Sequence, residues 1–198
     1  MISNYSEVFD CERLIDNNNY SLLPRFRAIN NADGITNYFK NQALKDDEEN
    51  IARNYVVKIK NSETVIAMFT LKSGAIPYNE GSEDLLFSKN TKLIPGIELV
   101  NIALNDFVLS RIRKYSSKVG KHIFFKIIQN IVLSVSDTIG VKVLYLFAAN
   151  EKLAQYYTTW GFKEIPDIEY KEKLKKEWQN EYSQSCIFMY KPIAEINW

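Results

Sequence analysis

A long apolar helical stripe that stops on a glycine and leads at once into an apolar strand constrains this chain most. From a start near Gly120, Ile123, Phe124, Ile127, Ile128, Ile131, Val132 and Val135 recur at spacings of three and four, which marks one buried helix face. Gly140 supplies the stop, because it takes the left-handed cap conformation without steric penalty. Val141 to Ala149 then reads as a strand buried on both faces. Ahead of the helix, Ile97 to Leu104 forms another strand, bounded by Pro95-Gly96 and Asn105-Asp106. Behind it, Glu151 to Trp160 is a short helix ending at Gly161. Strand, long helix, strand is a βαβ unit, so the strands at 97–104 and 141–149 are expected to run parallel.

The upstream pattern is antiparallel. Tyr55 to Ile59 and Thr64 to Leu71 are strand-like runs joined by the short segment Lys60 to Glu63, as in a hairpin. Ile35, Tyr38, Phe39 and Leu44 give a helical pattern before them, with Lys45 to Glu49 as its solvated end. Residues 1–33 resist assignment, because Asn17 to Asn19, Pro24 and Asn30 to Gly34 interrupt every period. Ser73 to Asn90 reads as a polar loop, Lys171 to Glu181 as a charged helical stretch, and Cys186 to Tyr190 as a last strand. The expectation is one α/β (mixed α+β) domain over residues 1–198. Its sheet is antiparallel in its first half and parallel in its second, with helices on both faces.

Composition removes several classes of function. At 198 residues with 46% hydrophobic and 25% charged side chains, the chain matches a soluble globular domain rather than a disordered one. The longest apolar runs fall far short of the ~20 residues that a membrane helix needs, so no membrane partner is expected. Lys and Arg number 25 against 24 Asp and Glu, and no global field draws the protein to nucleic acid or lipid. Two isolated cysteines, Cys11 and Cys186, and a single histidine make a structural metal site improbable. Their pairing as a disulfide stays open. With no basic-then-apolar leader in view, the expected compartment is the cytoplasm.

Chemistry concentrates in two places. Arg111, Arg113, Lys114, Lys118 and Lys121 are five cations without an acid between 111 and 121. They stand where small residues and Gly120 lead into the long helix. This is either a solvated basic loop or, with the helix's unpaired N–H groups, an anion site. The second place is Asn150 to Phe162. Asn150, Leu153, Tyr157, Gly161 and Phe162 follow the spacing of the fifth strand and following helix in the GNAT superfamily of N-acetyltransferases, which the sequence resembles over roughly residues 35–165. Ile94 to Leu99 resembles the branch that contains toxin-type acetyltransferases. One departure is that Tyr115 and Lys118 stand where the family's pyrophosphate loop has Gln or Arg and its first glycine.

The resemblance implies acetyl-CoA as co-substrate, held between the family's fourth and fifth strands, with no metal. Its pantetheine arm would pair with the backbone of Ile102, Ala103 and Leu104, and its pyrophosphate would rest on the amides of Ser116, Ser117, Lys118, Val119, Gly120 and Lys121. Asn150 would hold the arm, a backbone N–H near Leu104 would stabilise the oxyanion, and Tyr157 would protonate the departing thiolate. Tyr156 beside it reads as packing, Trp160 and Phe162 as core. Glu98 is either the base for the attacking amine or a solvent-facing strand carboxylate. His122 reads as a polar residue or anion contact on the first turn of the long helix. The other partner is an amine acceptor. A toxin-type protein would take the amine of aminoacyl-tRNA and be held by an antitoxin. A non-catalytic module of the same fold is the competing class of function, and an exposed last strand could pair across a homodimer.

Overall fold

Asparagines at the turning points set the first part of the fold. Asn17, Asn18, Asn30, Asn50 and Asn61 have φ between 50° and 60°, a region that Asn enters more easily than most side-chain-bearing residues. A computed structural model describes residues 8–77, 93–110, 116–165 and 185–196, together with 172, 176 and 183. Its strands are β1 (Phe9–Arg13), β2 (Arg53–Ile59), β3 (Val65–Pro77), β4 (Leu93–Leu104), β5 (Val143–Ala148), β6 (Lys163–Glu164) and β7 (Ile187–Pro192). Its helices are α1 (Asp33–Asn41), α2 (Ala43–Glu48), α3 (Asp106–Leu109), α4 (Ser116–Ile123), α5 (Gln129–Ile139) and α6 (Glu151–Thr158). A π-helical segment, Phe124–Ile128, joins α4 to α5. The strands form one sheet of order β1-β2-β3-β4-β5-β7-β6. Met1–Lys72 with Leu99–Gln129 make one compact unit, and Ser73–Glu98 with Asn130–Trp198 a second.

In the first unit β1, the strand that sequence periodicity did not find, pairs antiparallel with β2 from Phe9↔Ile59 to Arg13↔Tyr55. β2 pairs antiparallel with β3, with a bulge at Val57/Lys58. The N-terminal segment is core rather than loop: Leu14, Leu22, Leu23, Phe26 and Ala28 pack with Phe39, Ala43, Val56, Met68 and Ala103. Phe26 meets Phe39 edge-on at 5.6 Å. Short 3₁₀ turns at Asn19–Arg25 and Ile29–Asn31 carry these residues, and such turns leave no period to read. The helical pattern from Ile35 splits into α1 and α2 at Gln42. Lys45 to Glu49 is not wholly solvated, because Asp47 is 2% exposed. Its carboxylate accepts bonds from Arg13 Nη2 and from the amide of Asn54. Cys11 and Cys186 are both free, and burial pushes the Cys11 thiol up to about 12, which makes it inert.

In the second unit β4 and β5 run parallel, Gly96↔Val143 to Glu98↔Tyr145, as the βαβ pattern requires. α5 ends at Gly140, with φ at 64°. β7 pairs with β5 along its length and with β6 at Lys163↔Tyr190 and Glu164↔Met189. The last strand is therefore not the end of the sheet, and β6 covers its outer edge at Met189 and Tyr190. Strand β3 continues through Ser73 and Gly74 to Pro77, so the expected polar loop does not start at Ser73; its remaining residues, 78–90, lie outside the described residues, as does nearly all of Lys171 to Glu181. Ile76, Ile94, Val143, Tyr145, Ile165 and Tyr190 form a core flanked by Phe147 and Phe188.

Gly74 makes room for Tyr145. A Cβ on Gly74 would stand 2.0 Å from the Tyr145 hydroxyl and 3.1 Å from its Cζ. Gly74→Ala should lower stability by about 1–3 kcal/mol, the usual range for overpacking a filled core. Urea denaturation reads this, and Tyr145→Phe in the Gly74→Ala background should recover part of the loss.

Candidate active site

Each half of the chain carries its own part of the chemistry. In the second unit, Asn150 leaves β5 in extended geometry and caps α6, its side-chain oxygen accepting from the Leu153 amide at 3.0 Å. That bond satisfies one of the helix's orphan donors and leaves the Asn150 NH₂ for other partners. Ala154 faces inward at 2% exposure, and Tyr157 lies three residues on, on the same side of the helix. The helix ends where the Trp160 amide donates to the Tyr157 carbonyl at 2.8 Å and the Phe162 amide to the same oxygen at 3.2 Å. Gly161 makes the reversal with φ at 86°. Trp160 and Phe162 are buried and meet the Tyr157 ring edge-on at 5.3 and 6.0 Å.

Tyr157 is thus a half-buried phenol held by two core rings. Burial, with Tyr156 beside it, pushes its pKa up to about 12. Tyr156 packs on Trp160 at 5.0 Å. Glu98 is 3% exposed, which overturns the solvent-facing reading. Its register partner across the parallel ladder is Tyr145, so the two side chains lie on one face of the sheet.

In the first unit, β4 ends at Ile102, Ala103 and Leu104, the last two buried. Sequence reasoning used Asn105 only as a strand terminator, yet it is the residue that fixes this end. Its Nδ2 donates to the Val65 carbonyl at 2.8 Å, and its Oδ1 accepts from the Phe107 amide at 3.2 Å. Its own amide donates to Ile66 O at 2.8 Å, and the Asp106 amide donates to Arg27 O at 2.7 Å. An Asn directly after a strand was the available signal for this Asx turn. These bonds narrow the search for an oxyanion donor, because the amides of Asn105, Asp106 and Phe107 are occupied. Successive strand amides alternate in direction, so with Asn105 N–H on the β3 side, Leu104 N–H points the other way.

The long helix begins at Ser116, not near Gly120. The backbone expected to bind an anion, Ser116 to Lys121, thus lies along α4. Gly120 is buried one turn into the helix. Lys118 and Lys121 are exposed, and Lys121 Nζ lies 5.7 Å from the Phe125 ring centre. Arg111, Arg113, Lys114 and Tyr115 fall outside the described residues. His122 sits in the last turn of α4 rather than the first, 5.9 Å from the Phe9 ring. Burial and Lys126 lower its pKa.

Among the described residues no three His, Cys, Asp or Glu side chains gather as a metal site, and no helix is long and apolar enough to cross a membrane. Among the described residues, Lys118 and Lys121 put two exposed cations on α4. The α6 segment offers a proton donor in an apolar setting.

Solved structures share this fold over nearly the whole chain. The toxin AtaT complexed with acetyl-methionyl-tRNAfMet matches at a TM-score of 0.66 and 19% identity, over 95% of this chain and 96% of AtaT. AtaTR bound with AcCoA matches at 0.65 and 19%, over 96% of both chains. A tyrosine-to-phenylalanine mutant of KacT matches at 0.65 and 15%, over 96% of this chain and 97% of KacT. No protein-family model matches the chain, and no curated protein matches it in sequence. The chain shares the fold of these solved structures.

Proposed function

We propose that this protein is an acetyl-CoA-dependent N-acetyltransferase that moves an acetyl group to a primary amine by direct attack, with Tyr157 as general acid. The observation that carries the reading is the segment from Asn150 to Phe162. The motif spacing folds into a capped helix with the Tyr157 phenol gripped by Trp160 and Phe162. AtaT, of like fold, is known bound with AcCoA, and in KacT a tyrosine has been changed to phenylalanine.

The chemistry balances as follows. The amine nitrogen bonds to the thioester carbonyl carbon, and the developing oxyanion takes an N–H at the Leu104 end of β4. The carbon–sulfur bond then breaks, the sulfur takes the Tyr157 proton, and the proton lost by the amine passes to Glu98 or water. A phenol near 12 lies roughly 3.5 units above a thiol of about 8.5, so free transfer would be uphill by about 5 kcal/mol. Proton delivery is therefore concerted with bond breaking.

For the acceptor, the toxin-type reading is favoured by the structure of AtaT with acetyl-methionyl-tRNAfMet. The proposed acceptor is the amine of an aminoacyl-tRNA, and the proposed protein partner is an antitoxin, as AtaT is bound by the C-terminus of AtaR. Calorimetric titration with acetyl-CoA tests the enzyme reading, followed by thiol release in the presence of charged tRNA, peptides and small amines. No binding at millimolar acetyl-CoA overturns it. Lys118→Ala with Lys121→Ala should raise the acetyl-CoA constant about tenfold or more, at about 1 kcal/mol per charge-assisted phosphate contact. An unchanged constant would reduce this stretch to a solvated basic turn.

A further inference from the structure

A lysine on an interior strand is the least expected side chain in the second unit. Lys191 lies on β7, paired with Leu144 of β5, and is 6% exposed. Lysine is almost never buried unless its ammonium has partners. Here Nζ donates to the Trp160 carbonyl at 2.8 Å. That carbonyl lies just past the C-terminus of α6, where the helix dipole favours a cation.

The same amine sets the shape of the turn. A Cβ on Gly161 would stand 3.0 Å from Lys191 Nζ, so the ammonium lies close against the turn whose φ of 86° calls for glycine. The Trp160 amide and the Phe162 amide both donate to the Tyr157 carbonyl, and the Trp160 and Phe162 rings abut the Tyr157 ring. Lys191 thus ties down the Trp160–Gly161 peptide, the first of the two that link the residues gripping Tyr157. Glu195, which opposes the lowering of the Lys191 pKa by burial, is paired with Lys163 at 2.6 Å, and Tyr156 packs against Trp160 on the far side of the turn.

We propose that Lys191 is a positioning residue for Tyr157: its ammonium, bonded to the Trp160 carbonyl, holds the turn that aims the phenol. This rests on the acetyltransferase reading above. The sequence contains no hint of the pair, since the two positions stand 31 residues apart.

Lys191→Met keeps the length of the side chain and removes the donor. It should lower kcat about tenfold while the KM for acetyl-CoA stays within about twofold, the pattern of an interaction felt only in the transition state. Lys191→Arg, which restores a charged donor, should recover most of that loss. The assays are run well below the melting temperature of each variant. If Lys191→Met melts earlier but keeps full kcat, or if Lys191→Arg is as slow as Lys191→Met, the positioning role is overturned. Fluorine NMR of 3-fluorotyrosine protein, with the Tyr157 signal identified by Tyr157→Phe, needs no activity. Lys191→Met should move that signal more than any other tyrosine's, and an unmoved Tyr157 signal overturns the proposal. A wild-type protein that transfers no acetyl group, with the Tyr157 signal still moving in Lys191→Met, would sink the enzyme reading and leave the hold on the turn standing. Should Lys191→Met fail to fold, Lys191→Gln, whose shorter uncharged side chain draws the donor back from the Trp160 carbonyl, carries the same two readouts, and an unchanged kcat or an unmoved Tyr157 signal overturns the proposal.

Discussion

Tyr157→Phe is expected to lower kcat by about 10²–10⁴-fold, the usual contribution of a positioned general acid, with little change in acetyl-CoA affinity. The substitution keeps the ring that Trp160 and Phe162 grip, so the fold should survive. Tyr156→Phe should have a far smaller effect, since its ring packs on Trp160 and its hydroxyl has no part in the transfer. The pH profile supplies a second check. Burial raises the Tyr157 pKa to about 12, so the protonated form that acts as acid is complete throughout the range from pH 6 to 10 and is lost only as pH rises through about 12. Wild-type kcat should therefore show no alkaline limb from Tyr157 below pH 10. A limb there that disappears in Tyr157→Phe would mean that the phenol is far more acidic in the complex. If an acceptor is found and Tyr157→Phe keeps full activity, another donor protonates the thiolate.

The largest expected stability effect lies in the other unit. The Asp47 carboxylate has no exposed side-chain surface, and Arg13 Nη2 and Arg53 Nη1 stand at 2.5 and 3.6 Å from Oδ1. Its Oδ2 accepts the Asn54 amide at 2.8 Å. Asn54 in turn is 0% exposed, donates to the Ala43 carbonyl at 2.8 Å and accepts from Thr70 at 2.7 Å. Asp47→Ala should cost about 2–4 kcal/mol, because it removes charge-assisted bonds and leaves the buried Asn54 amide unsatisfied. That is a large share of the roughly 5–15 kcal/mol that holds a typical domain together. Asp47→Asn keeps an acceptor for Asn54 and should cost less, since Arg13 is 34% exposed and water can take up its charge. Urea denaturation with both variants reads the difference. A loss under 1 kcal/mol for Asp47→Ala would mean that the network rearranges around the missing group.

The sequence by itself determined the βαβ half of the protein. A stripe from Ile123 to Val135, a glycine stop and an apolar run are local patterns, and their physics acts within a few residues. The same holds for Asn150, Tyr157 and Gly161, whose cap, helix face and reversal are set by neighbours three to eleven positions away. What only the tertiary structure decided are the contacts between distant segments. Phe26 belongs to the core because Phe39 and Met68 receive it, and no period announces that. Asp47 sits in a charged run that looks solvated until Arg13 and Asn54 close over it. Glu98 is buried by its strand neighbours rather than by its own pattern. Even the start of the long helix moved four residues, from Gly120 to Ser116. A helix's first turn takes its bonds from outside the helix, so its first residue is set by surroundings that the local sequence does not contain.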